Sequence, residues 1–167
     1  PFILPRSSSY TGTLVDDLVT KEIGEPYRMM TSRSEYRLLL RQDNADMRLT
    51  PLGREVGMVD DHRWELFVAK QEAIETEKKR VKSVRIHPNP EWEEALAPYD
   101  ESMKQSATLE ELLRRPKVPY SIINKLAPAS EEGFAFGLEV ETDIKYAGYI
   151  ERQRLLIAQT EKLDGFK

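Results

Sequence analysis

The chain has 167 residues, a formal net charge of −4, 40% hydrophobic and 32% charged residues: enough apolar content for a core, but a balance that argues against whole-molecule polyanion binding. It holds no cysteine, which excludes disulfides, thiolate nucleophiles and cysteine-based zinc, and its two histidines, His62 and His87, are too few for a metal centre. No apolar run approaches the roughly 20 residues that span a bilayer, and no signal peptide is visible, so the chain reads as cytoplasmic.

The chain begins at Pro1 without a methionine and is expected to be a piece of something longer. Residues 1–9 are rich in proline and serine and read as loop. From Tyr10 to Val19, Leu14, Val15, Leu18 and Val19 recur at helical spacing with Asp16 and Asp17 outward, which predicts a short amphipathic helix ended by Gly24 and Pro26.

The next stretch, EPYRMMTSRSEYRLLLRQDNADMRL over 25–49, carries Arg28, Arg33, Arg37 and Arg41, with Glu35 the one opposite charge among them. Ser32 and Glu35 fit a capping box and predict a helix from Arg33 to Gln42. At about 100° per residue such a helix aligns Arg33, Arg37 and Arg41 on one face, beside an apolar arc of Tyr36, Leu39 and Leu40. Guanidiniums without intrahelical acids suit phosphate, whose geometry matches their fork. The same row can instead be salt-bridged to an acidic segment elsewhere in this acid-rich chain. Tyr10, Tyr27 and Tyr36 could stack on bases or pack in the same core.

Further on, Thr50 with Pro51 predicts a helix over 51–56 that Gly57 ends. Asp60 or Asp61 opens a long helix to about Val81, with Trp64, Phe67, Val68 and Ile74 on its apolar side. Its charged residues, Glu75, Glu77, Lys78, Lys79 and Arg80, read as a solvated face. A short extended piece covers 83–86, and a turn or two of helix 91–96. A second capping box, Thr108 with Glu111, starts a helix that Pro116 ends. Another helix runs over 120–126 with Ile122, Ile123 and Leu126 inward, and a loop over 128–137. From about Leu138 one long helix follows, with Val140, Ile144, Ala147, Ile150 and Ile157 in line; Gly148 within it hints at close approach by another backbone. On this helix Lys145, Tyr149 and Arg152, with Tyr146 and Arg154, form a possible second contact surface. The fold class is mainly α.

No phosphate loop, G-x-G-x-x-G, H-E-x-x-H or nucleophile elbow occurs, and no serine, histidine and acid suggest a triad. The pairs Asp16-Asp17 and Asp60-Asp61 read as capping and surface residues. No catalytic residue and no metal ligand is assigned.

The run RSSSYTGTLVDDLVTK, then EPYRMMTSRSEYRLLLRQDNADMRLTPLGREVGMVDDHRW, and later LEELLRRPKVPY and DIKYAGYIERQ closely resemble the C-terminal half of the GidA (MnmG) family. The resemblance implies a flavoenzyme that installs the 5-carboxymethylaminomethyl group on the wobble uridine of tRNA, using FAD, NADH, a folate one-carbon donor and a GTPase partner of the MnmE family. It implies a homodimer in the parent enzyme. Residues 1–48 would be the tail of a Rossmann-type FAD domain and 49–167 the helical C-terminal domain. The glycine fingerprint and the family's catalytic cysteines are absent from this chain, and no FAD is expected on it alone. The resemblance places Arg28, Arg33, Arg37 and Arg41 on the surface that receives the anticodon arm, and Tyr36 among them is the aromatic candidate for RNA contact. The rival expectation is a helical platform that docks the GTPase or a second subunit without touching RNA. The end at Phe166-Lys167 is expected to fall short of the family's small terminal bundle.

Overall fold

In the computed structural model, which describes residues 2–22 and 24–164 with side chains to 160, the first helix turns its small and polar side inward. Pro1 and the chain end at Phe166-Lys167 lie outside the described residues. The chain forms two compact units, Pro1–Phe67 with Gly148–Lys167, and Val68–Ala147. Among the described residues there are eight α-helices and one two-stranded sheet, a mainly α architecture as the sequence predicts. No described helix is long and apolar enough to cross a membrane.

In the first unit, α1 (Tyr10–Thr20) is capped by Ser9, whose hydroxyl accepts the Gly12 N–H at 2.9 Å. A Cβ on Gly12 would lie 2.3 Å from the Pro5 carbonyl oxygen and 2.7 Å from that of Leu4. Only glycine lets the 4–5 backbone cross the helix there. Thr13 and Asp17 are buried on that side, and Val15, Leu18 and Val19 face outward, Val19 being 75% exposed. The expectation that Asp17 points outward is therefore corrected: it is 0% exposed.

The predicted helix from Arg33 to Gln42 does not form. Thr31–Arg33 make one 3-10 turn, Ser34 accepts the Tyr36 N–H at 3.2 Å through its hydroxyl, and the Tyr36 carbonyl accepts from Leu39 and Leu40 at 2.9 Å each. A hydroxyl that closes its own local turn competes with the helix ladder, and Glu35, the other half of the expected capping box, is drawn away to Arg6. Leu40, 2% exposed, anchors the segment. α2 (Ala45–Glu55) starts well before the predicted Thr50 cap and carries Pro51 inside it, at the cost of one N–H in the ladder. Gly57, at φ +78, stops it as expected. α3 (Asp61–Ser83) follows, opened by Asp60, whose carboxylate accepts the Arg63 N–H at 2.8 Å.

In the second unit, the predicted extended piece is β1 (Arg85–Ile86), paired antiparallel with β2 (Ala107–Thr108). Four short helices lie between α3 and α8 in the sequence: α4 (Pro90–Leu96), α5 (Leu109–Leu113), α6 (Tyr120–Leu126) and α7 (Glu131–Ala135). The Thr108–Glu111 capping box of α5 forms both of its bonds, at 2.7 and 3.1 Å. α7 replaces the expected loop because Ser130 caps it, accepting the Gly133 N–H at 3.1 Å. α8 (Gly137–Asp164) is the long final helix.

The core is built from Ile74, Val81, Trp92, Leu96, Leu109, Leu112, Leu113, Ile123 and Val140, among others. Two features were not legible beforehand. Glu77, read as part of a solvated face, is 2% exposed and bonded to Tyr120. A Cβ on Gly137 would meet the Tyr120 ring at 2.1 Å, so glycine is needed where α8 begins. The close approach expected at Gly148 is absent, since a Cβ there meets nothing within 4 Å among the described residues.

Candidate nucleic-acid interface

The arginines of the 25–49 stretch are not a helical row, so each takes its environment from its own loop position. The loop is tied down by a residue the sequence did not single out, Arg6. Its Nη1 reaches Asp17 at 2.5 Å and Asp16 at 2.9 Å; its Nη2 reaches Glu35 at 2.9 Å and the Arg33 carbonyl at 3.2 Å. Asp17 also takes Lys21 at 2.7 Å and the Tyr27 hydroxyl at 2.8 Å. Lys21 first, then Arg6 and Tyr27, hold the Asp17 carboxyl well below the usual carboxylate range in spite of its burial. The Tyr27 phenol is pushed up, by burial first and by the Asp17 carboxylate second. Of this cluster only the Asp17–Lys21 spacing, i and i+4 on a helix, leaves a trace in the sequence.

Around this hub the four predicted arginines divide. Arg41 is engaged within the chain: its Nε meets both Asp43 carboxylate oxygens, at 3.1 and 3.2 Å, and its Nη1 donates to the Leu38 carbonyl at 2.7 Å. Arg33 is half-buried, its guanidinium 4.9 Å from the centroid of the Tyr27 ring, and its Nε is a buried donor that meets no acceptor among the described residues. Arg28 and Arg37 are exposed, and neither guanidinium is bonded to a described residue. Tyr36 is half-buried beside Arg37 in the chain. Tyr27 serves the core through its hydroxyl and Arg33 through its ring.

Arg48 was also unforeseen. It donates to the Ser8 carbonyl, to Asn44 at 2.8 Å and to the Arg41 carbonyl at 3.0 Å. Burial first, and the Arg41 charge second, hold its guanidinium below its usual value, though a guanidinium so placed stays charged at neutral pH. It ties α2 to the loop that carries Arg41.

On the final helix, Lys145 donates to Glu141 at 2.6 Å and to the Pro116 carbonyl at 3.1 Å, so its ammonium is engaged inside the second unit. Arg152 sits 5.7 Å from the centroid of the Tyr149 ring, on an exposed part of α8. His87 shares a 2.8 Å hydrogen bond with Ser106, and His62 is exposed. No group of three or more histidines or acids suited to a metal ion occurs among the described residues.

Residues 61–154 match the model of the tRNA modifying enzyme MnmG/GidA C-terminal helical domain. The chain is 48% identical over 167 residues to the tRNA uridine 5-carboxymethylaminomethyl modification enzyme MnmG of Geobacillus thermodenitrificans, covering 99% of this chain and 27% of that protein. It is 50% identical over 162 residues to the enzyme of the same name from Synechocystis, covering 96% of this chain and 26% of that protein. Among solved structures it matches Aquifex aeolicus GidA with a TM-score of 0.78 and 34% identity, over 98% of this chain and 25% of that one. The chain thus spans about a quarter of the length of these relatives.

Proposed function

Because this chain belongs to the MnmG/GidA family of tRNA-modifying enzymes, we propose that it is part of an enzyme that installs the 5-carboxymethylaminomethyl group on a tRNA wobble uridine, and that its own share of the work is to hold the RNA. The observation that carries this reading is the contrast between Arg28 and Arg37, exposed and bonded to no described residue, and Arg6 and Arg41, which are held by acids of the chain. Permanently charged forks that the fold leaves open suit a phosphate backbone, and these contacts position an RNA without reading its sequence. The candidate phosphate contacts therefore narrow from four arginines to Arg28 and Arg37, with Arg33, whose guanidinium no described acceptor meets, as the third.

FAD and NADH belong to the parent enzyme in this reading, as does assembly into a homodimer. The 167 residues contain neither the glycine fingerprint that cradles a dinucleotide nor a cysteine. No residue here is assigned to flavin or to chemistry. Residues 1–48 as the tail of a flavin domain are supported by the apolar side chains they leave outside, Ile3, Val19 and Met29 among them.

The test is binding of an unmodified tRNA transcript to the full-length protein. The Arg28→Ala, Arg37→Ala pair is expected to weaken it about tenfold, or about 1.4 kcal/mol. Arg41→Ala is expected to act mainly on stability. Unchanged affinity in the pair rejects the assignment.

A second reading has its own support in the exposed Leu155 and Leu156 of α8: a platform that docks the GTPase partner or a second subunit, without RNA contact. Capture of the GTPase but not of tRNA would favour it.

A further inference from the structure

Arg33 differs from its neighbours in how it is held. Its backbone is fixed twice, by its own N–H to the Met30 carbonyl at 3.0 Å and by Arg6 donating to its carbonyl at 3.2 Å. Its side chain lies over the Tyr27 ring, and that ring is fixed in turn by the 2.8 Å bond from its hydroxyl to Asp17. Asp17 is held on several sides: fully buried, paired with Arg6 and Lys21, and borne on α1. Yet no carboxylate or other acceptor among the described residues meets the Arg33 guanidinium, whose Nε is buried without a partner. The Nε is closed to solvent, but the two Nη groups are neither bonded to a described residue nor among the buried unpartnered atoms, so they are the part of a ring-held guanidinium that an anion from outside can meet.

We propose that Tyr27, anchored by Asp17, is a positioning residue that pre-orients Arg33 for an RNA phosphate. This rests on the reading of the arginine segment given above and adds how one of its contacts is prepared. Tyr27 touches no RNA in this arrangement. Its ring restricts the rotamers of Arg33, and its hydroxyl sets the ring. A long arginine side chain otherwise loses rotamer freedom when it binds, and holding it beforehand lowers that cost.

The experiment is a double-mutant cycle in the full-length protein, with affinity for an unmodified tRNA transcript as readout and thermal unfolding recorded for each variant. Tyr27→Phe keeps the ring and removes the tie to Asp17; it is expected to weaken binding about threefold. Tyr27→Leu removes both and is expected to weaken it about as much as Arg33→Ala, about fivefold to tenfold. If Tyr27 acts through Arg33, then Tyr27→Leu adds nothing in the Arg33→Ala background. A general loosening of the segment would instead add in full, so the coupling separates positioning from mere support. Affinity unchanged in Arg33→Ala removes Arg33 as an RNA contact and the positioning role of Tyr27 with it, whereas the reading of Arg28 and Arg37 stands or falls on their own double variant. A weakened Arg33→Ala with Tyr27→Leu at full affinity, or with losses that simply add, overturns the positioning role alone.

Discussion

Glu77→Ala is expected to lower the unfolding free energy by about 3 kcal/mol, whereas Glu75→Ala, two residues earlier on α3, should change it by less than about 0.5 kcal/mol. The two glutamates look alike in sequence, but Glu75 is 56% exposed and, among the described residues, reaches only Lys78, at 3.3 Å. Glu77 accepts from the Tyr120 hydroxyl at 2.7 Å and from two nitrogens of Arg80, each at 2.7 Å. Arg80 Nη1 continues to the Ala127 carbonyl at 3.0 Å, so one carboxylate links α3 to α6 and to the turn after it. The Tyr120 phenol is pushed up, by burial first and by Glu77 second, and stays a neutral donor.

Without the carboxylate, a buried hydroxyl loses its close acceptor and the guanidinium two of its three bonds, Nη1 keeping the Ala127 carbonyl. Breaking one side of a buried pair costs about 3–5 kcal/mol, and the solvent still reaching Arg80 puts this case at the low end. Urea unfolding at constant slope measures it. Equal midpoint shifts for the two variants would contradict the buried role of Glu77.

The second large effect is at Asp17, where alanine is expected to cost about 2 kcal/mol. Tyr27 loses its acceptor, and Arg6 keeps its bonds to Asp16, Glu35 and the Thr13 and Arg33 carbonyls. The pH dependence follows from the depressed carboxyl of Asp17. A group whose folded pKa lies below its unfolded one stabilises fully above the unfolded value. That stability is lost as the pH falls through the window beneath it. The Asp17 contribution is thus complete above about pH 4 and fades below it. Asp17→Asn should therefore be less stable at neutral pH and should show a flatter loss on acidification than the parent. A parallel acid limb in parent and variant would exclude Asp17 as its source.

Asp17 and Glu77 also mark where sequence reading stops. Elements with local determinants were legible: α1, the long α3 and α8, α4 and α6 close to their predicted bounds, and the Thr108–Glu111 cap of α5. Each rests on spacing or a cap within one turn. The helix expected from Arg33 failed because Arg6, 29 residues away, takes Glu35 out of the capping box. α1 was placed correctly but turned the wrong way. Val15, Leu18 and Val19 are exposed, and Gly12 admits the 4–5 backbone on the other side. The buried acids share the same cause, since their partners Arg6 and Tyr120 lie 11 and 43 residues away, outside their own helices, and leave no periodic signal. The arginine site was half legible: its residue types were visible, but which guanidiniums the fold already holds was not.

The most direct measurement is the salt dependence of tRNA affinity, taken for the full-length protein and for its Arg28→Ala, Arg37→Ala variant. Each phosphate contact contributes close to one unit to the slope of log affinity against log salt. The expected result is a slope shallower by about 1–2 in the variant, while Arg41→Ala keeps the parent slope. Identical slopes in the parent and the double variant would contradict the claim that these open guanidiniums hold RNA phosphates.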